Sequence, residues 1–293
     1  MKQGWVNGIV SQILWGTAGF TIKLIDTALP SSLLVSLRHG IGALTLATLI
    51  VKSKTSFKNL PIGHLVLLGI FAACLPDLLL VEAIRNAGVI VASMVARVEI
   101  PLGVIFAHVL LKEKVTKHAY LAAIISLIGV WFISYKPGQI ITLDNTFYFG
   151  VLCALGAAIL WGISSVYAKY ILTKKTDPLA LSFVRLSIGS IFALAITILF
   201  IHDPFISLQQ LQMTDWLLLL YLGIFVSGLA YLFFYRSLAI LDAHKAIILL
   251  GVSIMVTLFL GLFLGEIIQF IQWIGIALII SSLFLIRNPG SVK

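Results

Sequence analysis

Charged side chains are scarce in this 293-residue sequence: Asp, Glu, Lys and Arg together make up 11% of it. Soluble domains carry about 25% charged residues, so the composition excludes an ordinary soluble globular protein. Hydrophobic residues account for 60% of the chain, and the mean hydropathy is +1.11. We therefore expect an integral membrane protein with most of its length in the lipid bilayer.

Cysteine is also rare, and its two occurrences, Cys74 and Cys153, both fall inside apolar runs. This pattern gives no sign of a disulfide framework. The six histidines are scattered, without the spacing of a metal site. The apolar runs hold no cluster of aspartates for a magnesium diphosphate and no motif typical of a protease. We therefore expect neither an enzyme nor a bound cofactor.

Long apolar runs dominate what is present. A membrane-crossing helix needs about 20 apolar residues, and ten such runs fit into the sequence with short links between them. No separate soluble domain is left over. The predicted fold class is an all-α integral membrane protein with ten transmembrane helices, at about 5–25, 31–51, 62–82, 88–110, 118–136, 148–171, 179–201, 215–237, 243–264 and 268–286.

The net charge of +9 is distributed unevenly about these spans. With the N-terminus in the cytoplasm, only Arg85 and Lys136 lie at the outer side. Basic residues are enriched on the cytoplasmic side of a membrane, so we interpret the charge as a signal of orientation and not of nucleic-acid binding. Both termini are then cytoplasmic. Thirteen basic residues lie at the cytoplasmic ends: Lys2, Lys52, Lys54, Lys58, Lys112, Lys114, Lys117, Lys174, Lys175, Arg236, Lys245, Arg287 and Lys293.

An internal repeat divides the chain into two halves. Ile13-Leu14-Trp15-Gly16 returns as Ile159-Leu160-Trp161-Gly162, and Leu68-Gly69-Ile70-Phe71 returns as Leu222-Gly223-Ile224-Phe225. Matched landmarks in matched order predict two repeats, 1–137 and 138–293. Each half holds five spans, and an odd number places the second copy upside down relative to the first. Such inverted repeats are typical of secondary transporters, where they form alternating gates around a midplane site.

The fourth span carries two charges near the expected centre of the bilayer, Arg97 and Glu99, followed by Pro101. Residues two apart on a helix point to different faces, so each charge needs a partner elsewhere, a wet cavity or a charged ligand. The second repeat has Leu250 and Ser253 in this region and no charge. This asymmetry favours a substrate or proton site, and an internal ion-pair network is the alternative.

Other embedded charges occur beside a helix breaker or in repeated positions. Asp77 follows Pro76 in the third span, and transporters place ligand contacts at such broken helices. Arg38 lies deep in the second span and returns as Arg185 at an offset of 147. Repetition in both halves favours a structural or gating role for this pair.

A second repeated pair of cations lies near span ends. Lys23 recurs as Lys169, and a lysine there can reach the membrane interface with its charged end. We interpret Lys23 and Lys169 as gating or structural charges.

Three aromatic residues are further candidates for the lining of a cavity. Trp15 and Trp161 are mid-span, away from the interface where tryptophan is usually enriched. Tyr231 in span 8 offers a polar tip on an apolar ring. Core packing is the alternative for each, and the predicted substrate-binding set is Trp15, Asp77, Arg97, Glu99, Trp161 and Tyr231.

The sequence resembles the EamA branch of the drug/metabolite transporter superfamily over nearly its whole length. The resemblance rests on the paired Trp-Gly helices with their trailing lysines, the paired Arg38 and Arg185, and Pro101 with the later Leu110-Leu111-Lys112-Glu113. Leu264-Gly265-Glu266 matches the family's Leu-Gly-Glu ending more closely. Two departures are Lys112 in place of the usual glycine and the charges of Arg97-Val98-Glu99.

This resemblance implies a transporter of small metabolites that works by alternating access in the cell inner (plasma) membrane. Its substrate is expected to be a small polar solute such as an amino acid or related zwitterion. The alternative is a carrier of nucleoside-like compounds, for example S-adenosylmethionine, or of amphipathic drug-like compounds. A channel is less favoured. Asp77 and Glu99 are candidates for proton coupling. A monomer would suffice, since both gates are in one chain, and a dimer is also compatible.

Overall fold

The computed structural model describes residues 1–25, 29–53, 55–57, 62–134, 145–203, 205–263 and 269–287. The predicted boundary between the halves and the Leu264-Gly265-Glu266 motif lie outside these ranges. So do the predicted ends of spans 5 and 9, the first residue of span 10, and four lysines of the charge pattern: Lys54, Lys58, Lys136 and Lys293.

Helices account for nearly all of the described chain, and seven of them are long and apolar enough to cross a membrane. Three shorter apolar helices lie where the remaining spans were predicted. In chain order the helices are α1 (Lys2–Ile25), α2 (Ser31–Lys52), α3 (Ile62–Val89), α4 (Val91–Leu111), α5 (Lys117–Ser134), α6 (Asn145–Thr173), α7 (Pro178–Phe200), α8 (Met213–Ile240), α9 (Ala243–Ile248 and Gly251–Phe263) and α10 (Phe270–Arg287).

Several helices extend beyond the predicted spans or are interrupted. The third span was predicted to end at 82, but α3 continues to Val89 and the chain turns at Gly88, where φ is +81°. Glycine permits this left-handed conformation without a steric penalty. The helix α4 is interrupted at 97–98, and α9 is interrupted at 249–250. With the repeat offset of 153 these breaks coincide to within one residue, so both halves break the corresponding helix.

The repeated Leu-Gly-Ile-Phe phrase forms the same unusual structure in both halves. A π-helical segment occupies Gly69–Cys74 in α3 and Leu222–Leu229 in α8. The glycine of each phrase lies against the other half. A Cβ atom on Gly69 would lie 2.3 Å from Ile188, and one on Gly223 would lie 2.4 Å from Ile41. Such close helix approach is what small residues provide in membrane proteins.

The second helix of one half packs against the second helix of the other. Thr197 donates a hydrogen bond to Ser32, at 2.8 Å, while Ser36 and Ser190 exchange hydroxyl-to-carbonyl bonds of 3.0 and 2.8 Å. Residue numbers rise along α2 as they fall along α7, so these two counterparts run antiparallel. This direction is the one that an inverted repeat requires.

Candidate functional site

A cavity lies at the centre of the bundle, where the interrupted helices α1 (broken at Thr17), α4 and α9 meet the π-helical segments of α3 and α8. All residues of the predicted substrate-binding set line it: Trp15, Asp77, Arg97, Glu99, Trp161 and Tyr231. Arg38 and Arg185, which we assigned to gating or structure, line it as well. The structure thus brings these residues together, and substrate binding by them stays a prediction.

Pro76 explains how one wall of the cavity forms. Because proline has no N–H, the carbonyl groups of the preceding turn lose a helical donor. The adjoining helices supply replacements: the Arg185 guanidinium of α7 donates to Ala72 O, and Ser164 Oγ of α6 donates to Phe71 O at 3.1 Å. The break expected at Pro76-Asp77 is therefore the π-helical segment just before it, and α3 resumes as a regular helix from Leu75.

The opposite wall uses the matching position of α8. Val226 is the repeat counterpart of Ala72, and its carbonyl accepts a hydrogen bond of 3.1 Å from the indole N–H of Trp15. Trp161 is the counterpart of Trp15, and the counterpart carbonyl, Ala72 O, accepts a hydrogen bond from Arg185. Among the described residues the indole N–H of Trp161 has no hydrogen-bond acceptor.

Asp77 lies at the centre of a buried ionic cluster. It is completely buried and accepts a hydrogen bond from Arg38, and His39 Nε2 lies 2.7 Å from its Oδ2. Both partners are on α2, so the cluster joins α2 to α3. A charge this deep in an apolar bundle needs such a partner, which accounts for the position of Arg38.

Arg185 in the second half has a different partner. With the offset of 154, the counterpart of Asp77 is Tyr231, and the Arg185 guanidinium lies 3.8 Å from the centre of the Tyr231 ring. A cation–π contact thus stands where the first half has an ion pair. Trp15 contacts the same tyrosine edge-on, with ring centres 4.8 Å apart.

Arg97 and Glu99 both line the cavity, although a regular helix would point them to different faces. Both border one cavity because α4 is not a regular helix here: it ends at Ala96 and begins again at Glu99. Ser165 of α6 hydrogen-bonds the buried Glu99 carboxyl group. The choice between a ligand site and an internal ion-pair network stays open on this geometry.

The repeated lysines lie outside the cavity and differ from each other. Lys23 is exposed near the end of α1. Lys169 donates hydrogen bonds of 2.7 and 2.6 Å to the carbonyl oxygens of Leu238 and Leu241 at the end of α8. Lys169 therefore caps a helix C-terminus, where cations are favourable.

A second polar cluster lies beyond the end of α4. The Glu113 carboxylate accepts hydrogen bonds from the Ala243 and His244 backbone N–H groups, at 2.7 and 3.3 Å, and His244 Nδ1 is 2.7 Å away. Burial raises the pKa of Glu113, but these hydrogen bonds outweigh burial and hold its pKa below the usual range. The cluster fixes the start of α9 to the α4–α5 link.

Sequence reasoning did not include His39, Ser164, Ser165 or Tyr235 among the site residues. Three of them line the cavity, and His39 contacts Asp77 behind it. Tyr231, by contrast, was in the predicted set, and the repeat gives a further signal for it because it aligns Tyr231 with Asp77. No comparable signal identifies the serines, because serine also packs between membrane helices.

These features define a class: a multi-pass helical membrane protein built from two repeats around a charged central cavity. A family model described as the EamA-like transporter family matches residues 2–135 and 148–288, so the chain belongs to this family. The predicted resemblance is confirmed. The protein is accordingly an EamA-family transporter of the drug/metabolite transporter superfamily.

Similar proteins span almost the whole chain. An uncharacterized transporter of Clostridium kluyveri is 26% identical over 290 residues, and the match covers 96% of this chain and 91% of the Clostridium protein. The uncharacterized transporter YoaV of Bacillus subtilis is 26% identical over 288 residues, covering 95% and 92%. A solved crystal structure is similar with a TM-score of 0.81 at 18% identity, covering 96% of this chain and 97% of its own, which shows the shared fold.

Proposed function

We propose that the protein is a secondary-active transporter that moves a small polar metabolite, an amino acid or a related zwitterion, by alternating access. One observation carries this proposal: charges of both signs line a cavity enclosed by broken helices. Broken helices at a central site are how transporters expose polar backbone groups to a ligand inside the membrane.

The arrangement of the two halves supports alternating access. Counterpart helices α2 and α7 run antiparallel, and the corresponding helices α4 and α9 break beside the same cavity. Two inverted halves can exchange conformations, which would open the cavity first to one side and then to the other. We place the protein in the cell inner membrane with both termini in the cytoplasm, and one chain suffices for both gates.

Proton coupling is part of the proposal. Asp77 contacts Arg38 and His39 directly, whereas Glu99 has Arg97 as an electrostatic neighbour and a serine hydroxyl as its hydrogen-bond partner. Of the two carboxyl groups, Glu99 is therefore the proposed proton carrier. A Glu99→Gln protein should then exchange substrate across vesicles but lose accumulation driven by a pH gradient.

Transport of nucleoside-like or amphipathic compounds is the second candidate function, because rings crowd one wall of the cavity. The ring geometry favours it less. Trp15 packs on Tyr231 and Phe234, with ring centres 4.8 and 5.1 Å apart, and Arg185 covers a face of Tyr231. These contacts leave less of the Tyr231 ring free to stack on a base.

Counterflow in proteoliposomes tests the proposal directly. Vesicles loaded with an unlabelled solute would be diluted into the labelled solute, over a panel of amino acids, nucleosides, S-adenosylmethionine and quaternary amines. We expect accumulation with an amino acid and its loss in Arg97→Ala. Lys52→Gln, at an exposed lysine at the end of α2, is a matched control, since it also removes one positive charge. Accumulation only with the nucleoside-like compounds, unchanged in Arg97→Ala, would favour the second candidate.

A further inference from the structure

The cavity wall has an excess of hydrogen-bond donors without partners. Among the described residues, six buried nitrogen atoms of the lining lack an acceptor, and the only lining oxygen in the same condition is Asp77 Oδ1. Buried donors are normally satisfied, and those left over in a cavity indicate what its ligand must offer. The six atoms are Arg38 Nε and Nη1, Arg97 Nε, Trp161 Nε1, and Arg185 Nε and Nη1.

The formal charges of the cavity lining also favour an anionic ligand. Three arginines and two carboxyl groups line the cavity, which leaves one positive charge in excess. Arg38 is neutralised by Asp77, and Arg97 has the carboxyl group of Glu99 as an electrostatic neighbour, so Arg185 carries the charge in excess. Within the described ranges no carboxylate lies within 4.0 Å of Arg185, and the ring of Tyr231 compensates a cation only in part.

Arg97, Arg185 and Trp161 all line this cavity. The Arg185 guanidinium lies over the Tyr231 ring, 3.8 Å from its centre, and Tyr231 lines the cavity as well. Trp161 and Ser164 come from one helix, and Ser164 bonds to Phe71 beside the Ala72 carbonyl that Arg185 occupies. Guanidinium and indole N–H groups together are a good match for carboxylate oxygens.

We propose that this cavity selects an anion, with a ligand carboxylate bound by Arg97, Arg185 and the indole N–H of Trp161. This inference rests on the proposed transport function and narrows it: among small polar solutes, those with net negative charge bind best. A zwitterion would also bring an ammonium group, for which Asp77 Oδ1 is the one unpartnered acceptor of the described lining.

Matched ligands of one shape and different charge test this proposal on the purified full chain. Glutarate, glutamate and glutamine share a five-carbon frame with net charges of −2, −1 and 0, and 4-hydroxybenzoate with 4-hydroxybenzamide gives an aromatic pair. Titrations followed by thermal shift give the Kd of each. We expect the anion of at least one set to bind about tenfold or more tightly than its neutral partner. Equal or tighter binding of the neutral compounds, or binding by none of the carboxylates, would overturn the proposal.

Substitutions of lining residues show which side chains cause the preference for anions. Arg97→Gln and Arg185→Gln should each weaken anion binding about tenfold or more, and Arg97→Lys should restore part of it, while Lys52→Gln, at an exposed lysine outside the cavity, leaves it unchanged. If Arg185→Gln fails to fold, the Arg97 variants decide alone. Anion binding that survives in Arg97→Gln would reject the assigned site.

The transport measurement separates the two proposals. Counterflow of glutamine without any preference for glutamate or glutarate would leave the transport function standing and overturn anion selection. Binding of anions without counterflow of any solute would leave anion selection standing and overturn the transport function.

Discussion

The ion pair between Arg38 and Asp77 allows a quantitative prediction. Asp77 is fully buried and Arg38 is 4% exposed, so neither charge can turn to water when its partner is removed. Asp77→Asn leaves the Arg38 guanidinium uncompensated inside the bundle. Breaking a buried pair from one side costs about 3–5 kcal/mol, which corresponds to a fall in apparent Tm on the order of 10 °C.

The two single variants should differ in their effects. In Arg38→Gln the carboxylate of Asp77 keeps His39, whose Nε2 lies 2.7 Å from it, whereas in Asp77→Asn the arginine keeps no carboxylate. Asp77→Asn should therefore be the more destabilising change. The double variant Arg38→Gln/Asp77→Asn removes both charges, and we expect it to recover about 2–3 kcal/mol relative to the sum of the singles.

Thermal unfolding in a fixed detergent, followed by tryptophan fluorescence, measures all four proteins of this cycle. Asp203→Asn is the matched control, because it removes an exposed carboxylate whose ion-pair partner, His202, is exposed as well. Its apparent Tm should stay within about 2 °C of wild type. If the double variant is destabilised by the full sum of the two singles, the charges act independently and the reasoning is refuted.

Three further predictions concern the framework, and apparent Tm checks each. Glu113→Gln should lower Tm at pH 7. Because the pKa of Glu113 is held below its usual value, the Tm difference between Glu113→Gln and wild type should have its full size above about pH 5 and shrink as the pH falls below about 4. A Tm difference that does not change with pH would contradict this. Gly69→Ala should cost about 1–3 kcal/mol by collision with Ile188, while Gly63→Ala, with no atom within 4 Å, should be neutral or stabilising. Lys112, at φ 55°, occupies a conformation that favours glycine, so Lys112→Gly should raise Tm, and a fall would refute this.

Much of the architecture could be predicted because membrane spans and repeats leave strong patterns in sequence. The matched Trp-Gly and Leu-Gly-Ile-Phe phrases identified the two halves, and the embedded charges identified residues that share one cavity. Both predictions rest on one-dimensional signals: the length of apolar runs and the energetic cost of a charge in lipid.

What could not be predicted depends on the local course of the backbone. The interruption of α4 at 97–98 places Arg97 and Glu99 beside one cavity. Pro101 signals a weak point in this helix, because it has no N–H for the carbonyl of Arg97, but it does not indicate where the two side chains then lie. Likewise, Trp15 and Trp161 have the same sequence context, yet only Trp15 bonds to the carbonyl of its π-helical segment. The counterpart carbonyl, Ala72 O, accepts from Arg185, a contact between helices far apart in sequence.

Asp77 and Tyr231 are repeat counterparts, and the difference between them affects the net charge of the cavity. Two identical halves related by a two-fold axis contribute every side chain twice, so the formal charge of a cavity between them is always an even number. A fused chain whose halves differ at one such position is free of that constraint. Here an acid faces a phenol across the axis, and the lining can hold an odd charge. Joining two halves in one chain thus makes a cavity able to balance a singly charged solute.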